Sequence, residues 1–276
     1  MKKINVDEIH QIMKETFLDL NVLFEKYNIN YYFIAGSCLG AIRHRGFIPW
    51  DDDIDLGMLR KDYDNFLQIC HELPKKYFVS NYIFDKNADH LLTRIYIKDT
   101  YVKDFYPKHF KGRQELYLDI FPLDVIPNQT KLKEKQKKQL KNYKMLLYYK
   151  TGIHFGNSKI KNIIKDLMHL FLLPISYKTI VKSATKQMTK YNKNLNNDSI
   201  ICSLASQYSY EKQSMPYSVY GQGKMVEFDD ILVRVPEKTE DYLSHLYGNY
   251  MKLPSKEKQV FYGNVFKEDK VVSYEK

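Results

Sequence analysis

The chain has 276 residues, enough for one larger domain or two smaller ones that each bury a core. With 44% hydrophobic and 28% charged residues it reads as an ordinary globular protein, which excludes a disordered or fibrous chain. The net charge of +10 points to an anionic partner: a nucleotide, a phosphorylated acceptor, an acidic lipid surface or nucleic acid.

Residues 6–27 carry Ile9, Ile12, Met13, Phe17, Leu20 and Phe24 at helical spacing, a core-facing helix. The start, MKKINVDEIHQIMKE, has no apolar signal-peptide region, and no run reaches about 18 apolar residues. These features lead to the expectation of a cytoplasmic protein without a transmembrane span. Tyr31, Tyr32, Phe33 and Ile34 then read as a buried strand.

Residues 35–58, AGSCLGAIRHRGFIPWDDDIDLGM, hold the densest chemistry. Gly36-Ser37 breaks the strand, and a helix can start at Cys38. A strand, a Gly-Ser turn and a helix N-terminus present backbone N–H groups to an anion. Arg43, His44 and Arg45 add positive charge. Beyond them, Asp51, Asp53 and Asp55 alternate, so an extended strand places them on one face. Close carboxylates repel unless a cation joins them. An oxygen-only pair at Asp53 and Asp55, with Asp51 as an extra ligand, suits Mg²⁺ or Mn²⁺. The Gly-Ser turn thereby becomes a phosphate cradle that faces a metal site.

Residues 61–73 read as a helix stopped by Pro74, and residues 77–84 and 91–98 as strands. On the second strand Leu92, Arg94, Tyr96 and Lys98 share a face. Arg94 and Lys98 either turn towards the site to meet phosphates or line a solvent-facing edge. In YLDIF, Asp119 lies between Leu118 and Ile120 with no counter-charge nearby, and such a carboxylate needs a cation or hydrogen bonds. Pro122 is expected to break that strand, leaving Asp124 in a turn.

The composition shifts near Pro127. Residues 129–150 form a basic helix, for which a solvated face is the simplest reading. Residues 160–186 hold a dense apolar block flanked by lysines. It fits either a buried helical hairpin or a helix lying in a membrane interface. Residues 226–235 read as a hairpin turning at Asp229-Asp230, and residues 239–247 as a helix ended by Gly248. Cys38, Cys70 and Cys202 are scattered, against a disulfide framework or a zinc ribbon. Two regions are expected: a catalytic core over 1–127, and a mainly helical, basic, acceptor-binding region over 128–276 with a returning hairpin.

The residues AGSCLGAIRHRGFIPWDDDIDLG resemble the nucleotidyltransferase superfamily, which sets a Gly-Ser turn ahead of a strand bearing Asp-x-Asp. With LDIFPLD (118–124) and LYGNYMKLP (246–254), the chain more closely resembles the LicD family of phosphocholine transferases, related to fukutin-related ribitol-phosphate transferases. The resemblance implies an α/β (α+β) fold with a nucleotidyltransferase-like mixed sheet and flanking helices. It makes Asp119 the third catalytic carboxylate beside Asp53 and Asp55, completing the metal site or taking a proton. Gly36 and Ser37 would hold a phosphate, and Arg43 and Arg94 would offset charge on a leaving CMP. The implied reaction moves phosphocholine, or a related phospho-alcohol, from CDP-choline or another CDP-alcohol. The acceptor is a glycan hydroxyl on a lipopolysaccharide- or teichoic-acid-type precursor, typically lipid-linked; residues 160–186, where they lie in a membrane interface and not in a buried hairpin, would bring the protein to it at the inner face. No nucleic-acid partner is expected. Two other readings stay open: a true nucleotidyltransferase that releases pyrophosphate, and a non-catalytic basic adaptor for membrane or nucleic acid.

Overall fold

The computed structural model describes residues 1–103, 112–153, 158–261 and 263–268. Strand β1 (Lys2–Lys3) leads into helix α1 (Val6–Lys26). A capping box starts the helix: the Asn5 side chain accepts from the Glu8 N–H at 2.8 Å, and Glu8 accepts from the Asn5 N–H at 2.9 Å. The apolar set recognised in the sequence is buried, and Phe17 meets Phe33 of strand β2 (Tyr32–Phe33) edge to face.

Helix α2 (Ala35–Arg43) follows at once, with Ile34 as an extended N-cap. Gly36 and Ser37 therefore lie in its first turn, one step later than a turn before the helix would put them. The chain fits this tight junction by holding Ala35 at a φ of +48°, a strained value for a residue with a side chain.

Strand β3 (Asp55–Leu59) is followed by helix α3 (Arg60–Ile69) and strands β4 (Tyr77–Ser80), β5 (Thr93–Ile97), β6 (Thr100–Lys103) and β7 (Tyr117–Ile126). The main sheet runs β2-β3-β7-β5-β4; β3 and β7 are parallel and the other pairs antiparallel. Pro122 does not break β7. The Asp119 N–H bonds towards β3, so by alternation the side of Pro122 that lacks an N–H faces β5. The β5 pairing has already ended at Ile120, so no ladder bond is lost there.

Helices α4 (Thr130–Lys150), α5 (Lys159–Leu172) and α6 (Tyr177–Met188) come next. Strands β8 (Ile200–Cys202) and β9 (Ser214–Pro216) extend the sheet from the far end of β7. Helix α7 (Tyr217–Tyr220) precedes the expected hairpin, β10 (Lys224–Phe228) with β11 (Ile231–Val235). Helix α8 (Thr239–Tyr247) ends at Gly248, whose φ of +66° suits glycine. Strand β12 (Asn264–Lys267) pairs between β1 and β6.

Two cores result. The larger joins α1, α2 and the sheet to α7, the hairpin, α8 and β12. The smaller holds Ile126, Leu140, Leu147, Ile180, Val181 and Met188, and joins α4 and α6 to the end of β7. The three cysteines are buried and free. Among the described residues, no helix is long and apolar enough to cross a membrane.

Candidate active site

Three neighbouring strands bring three charged side chains to one level. Asp55 on β3 lies opposite Asp119 on β7, and Asp119 lies opposite Arg94 on β5. Residues paired in this way share a face of the sheet. Arg94 Nε donates to Asp119 Oδ1 at 3.1 Å, and its guanidinium stacks 4.4 Å from the Tyr117 ring centre. Arg94 thus turns inwards, as one of the two sequence readings had it. Lys98 does not join it: its Nζ donates to the Lys75 carbonyl on the surface.

The loop before β3 supplies the other carboxylates. Its path is fixed from several directions. His10 Nε2 donates to the Asp51 carbonyl at 2.7 Å and its ring stacks on Phe47. The hairpin tip docks through the Asp229 N–H, which reaches the Arg45 carbonyl at 2.6 Å. Gly40 is required by close approach, since a Cβ there would stand 2.6 Å from the Gly46 carbonyl oxygen.

Asp51 lies over the first turn of α2. A side chain at Gly36 would meet Asp51 Oδ2 at 2.9 Å, so glycine lets the Asp51 carboxylate come close to that helix end. Ser37 is buried, and its hydroxyl accepts from the Asp55 N–H at 2.8 Å. It couples the start of α2 to the start of β3 and keeps one proton to donate.

The electrostatics follow from crowding. Burial, then the charges of Asp55 and Asp51, push the Asp53 carboxyl well above the usual range. Burial, then Asp119 and Asp51, do the same to Asp55, against the pull of Arg94. Asp51 is raised to about 6 by burial and by Asp52. Burial also raises Asp119, and Arg94 offsets part of this. A hard divalent cation fits this set, because the donors are oxygens and their mutual repulsion is what a cation relieves. Among the described residues, no three Asp, Glu, His or Cys side chains form a ready-made cage. A cation here would rest on Asp53 and Asp55, and an incoming phosphate would supply further oxygens.

Arg43 stands to one side. It donates to the Tyr250 carbonyl at 2.9 Å and to His44 Nε2 at 3.0 Å, tying α2 to the chain beyond α8. Tyr247, a residue that reading the sequence missed, lies close enough to feel both Arg43 and the aspartates. Burial, Tyr208 and the charges of Asp55 and Asp51 raise its phenol and keep it protonated. The only hint was its place in LYGNYMKLP. Asp124 was misjudged as a turn residue: it is fully buried within β7 and bound by Arg60.

A mixed sheet with carboxylates on adjacent parallel strands, beneath a helix N-terminus, defines a nucleotidyltransferase-type domain. A family model described as LicD/FKTN/FKRP, nucleotidyltransferase domain, matches residues 28–165, and the chain belongs to this LicD family. It is 28% identical over 263 residues to the lipopolysaccharide cholinephosphotransferase LicD of Haemophilus influenzae, covering 94% of this chain and 96% of that protein. An uncharacterized protein of Rickettsia prowazekii is 32% identical over 125 residues, 40% of this chain and 44% of its own. The human ribitol 5-phosphate transferase FKRP is 39% identical over 57 residues, 21% of this chain and 12% of FKRP.

Proposed function

We propose that the protein transfers phosphocholine, or a closely related phospho-alcohol, from a CDP-alcohol to a hydroxyl of a cell-surface glycan precursor. The observation that carries this is the similarity to a cholinephosphotransferase over nearly the full length of both chains, with Asp53, Asp55 and Asp119 all present at the site.

In this reading Asp53 and Asp55 hold Mg²⁺ or Mn²⁺, which supplies positive charge against the donor's pyrophosphate oxygens. The first turn of α2, with Gly36 and Ser37, cradles one phosphate through backbone N–H groups. Arg94 favours the anionic form of Asp119 against the effect of burial and occupies Oδ1, leaving Oδ2 for the cation or for the proton of the attacking hydroxyl. The Tyr247 hydroxyl, held protonated, donates to the donor at the rim. Arg43, tied by its bond to the Tyr250 carbonyl, offsets charge on the leaving CMP. The transferred phosphorus carries the alcohol, and CMP leaves.

The test is to incubate the purified protein with CDP-choline, a glycan precursor and Mg²⁺, and to follow CMP release and choline incorporation. CMP and labelled glycan should form together and stop on chelation. Pyrophosphate release from a nucleoside triphosphate, with no CMP from CDP-choline or CDP-ribitol, would instead establish a true nucleotidyltransferase. No turnover and no binding of any CDP-alcohol would leave a non-catalytic adaptor.

A further inference from the structure

Helix α5 is built inside out. Its packed face is largely polar. Lys165 is buried, its Nζ donating to the Ile153 carbonyl and resting 3.3 Å from the Tyr148 ring centre. One turn on, His169 Nδ1 donates to the Lys150 carbonyl at 2.8 Å. Leu172 continues this side and is buried. Positions 165, 169 and 172 follow one face of a helix. The opposite face is apolar and bare: Ile160 is 72% exposed, Ile163 59%, Leu167 63% and Phe171 73%. Leu170 and Leu173 extend it, also exposed.

A helix on a globular protein in water shows the reverse pattern. Turning α5 over would bury its isoleucines and leucines and return Lys165 and His169 to solvent. The observed arrangement keeps the apolar side outwards and ties the polar side to backbone carbonyls at the end of α4. Such a helix is made to meet an apolar phase. Its 14 residues span roughly 21 Å, too short to cross a bilayer and suited to lying in its surface. Exposed lysines accompany it: Lys159 and Lys161 on α5, and Lys178, Lys182 and Lys186 along one side of α6.

We infer that α5 inserts its outward face into the headgroup boundary of an anionic membrane, with the lysines of α5 and α6 meeting lipid phosphates. A second copy of the chain is the poorer occupant. Two copies pairing through this face would bring together two lysine-flanked surfaces of molecules that each carry +10, whereas an anionic bilayer offers the opposite charge. The inference stands on the helix alone and holds whichever phospho-alcohol is transferred.

The test uses the full-length protein with vesicles of phosphatidylcholine, with and without phosphatidylglycerol. Wild type should sediment with the anionic vesicles at low salt and be released at high salt. Phe171→Asp should weaken this by about tenfold or more, as expected for losing one large inserted side chain, while keeping the wild-type melting temperature. If Phe171→Asp fails to fold, the combined Lys178→Glu, Lys182→Glu and Lys186→Glu variant tests the same surface; it leaves the apolar face untouched and should still lose anionic-vesicle binding. The inference is overturned if wild type ignores anionic vesicles at low salt, or if both variants bind as well as wild type. It is likewise overturned if sedimentation equilibrium without lipid shows a dimer that Phe171→Asp dissolves, which would give the face to a second copy.

Discussion

Removing one carboxylate from the Asp53–Asp55 pair should have two opposite consequences. Charge stabilisation is lost, so Asp55→Asn is expected to cut turnover by about a hundredfold or more, read as CMP release. Repulsion is also relieved, so the same variant should melt higher than wild type in metal-free buffer. Adding Mg²⁺ should raise the wild-type melting temperature and leave that of Asp53→Asn nearly unmoved. A near-normal rate in either variant would remove that aspartate from the site. His90 offers a separate test. Burial first, and then Arg94, lower its imidazole to about 3, while it donates from Nδ1 to the Leu92 carbonyl. The unfolded chain therefore binds a proton near pH 6.5 that the folded chain refuses until about pH 3. Between those values this group's contribution to stability falls as pH falls, by up to about 1.4 kcal/mol per pH unit. The raised site carboxylates tilt the curve the other way, so the measurement is the difference between wild type and His90→Gln in urea melts across pH. A difference that does not change between pH 7 and pH 4 would contradict this account of His90.

Strand β7 serves two purposes along its length. Its first half presents Asp119 to the site, and its second half anchors α3. Arg60 grips Asp124 through two bonds, Nε–Oδ1 at 2.8 Å and a second nitrogen to Oδ2 at 2.7 Å, while Asn192 donates to Oδ1 at 2.6 Å. Breaking one side of a buried pair strands the other charge. Arg60→Met should therefore cost about 3–5 kcal/mol of unfolding free energy, and adding Asp124→Leu should recover much of it. If the double variant is no more stable than Arg60→Met alone, the stranded-charge explanation fails. The first half of β7 could be read in advance, because an aspartate among Leu118, Ile120 and Phe121 signals a strand with a purpose. The second half could not. Asp124 is settled by Arg60, 64 positions earlier, and Pro122 is tolerated only because β5 has already left the ladder. The same limit applies to α2. Gly36 and Ser37 read as a turn ahead of the helix, but their place inside it depends on the strained Ala35, and a backbone angle leaves no trace in composition.

At the scale of the molecule, the mixed sheet, the flanking helices and the charged face of β3 were legible from local pattern and from the resemblance. The orientation of α5 was not. Its periodicity told which residues share a face, but not which face turns outwards, and the buried-hairpin reading holds for α6, which buries its apolar face, but not for α5. Nor could local pattern show how completely residues 217–268 rejoin the first half. Tyr220 packs on Tyr32, Phe228 on Phe33 and Phe47, and the Tyr242 hydroxyl accepts from the Ala35 N–H at 3.0 Å. Strand β12 completes a sheet whose other members are β1 and β6. That closure has a consequence in time. During synthesis the strands that carry the carboxylates leave the ribosome well before the segment that covers them, so the nascent first half must wait with aromatic surface uncovered. Pairings between such distant parts of a chain close slowly, and such a delay is when aggregation competes. A version halted at residue 216 should be captured by chaperones or precipitate, while the complete chain, once released, outruns that fate.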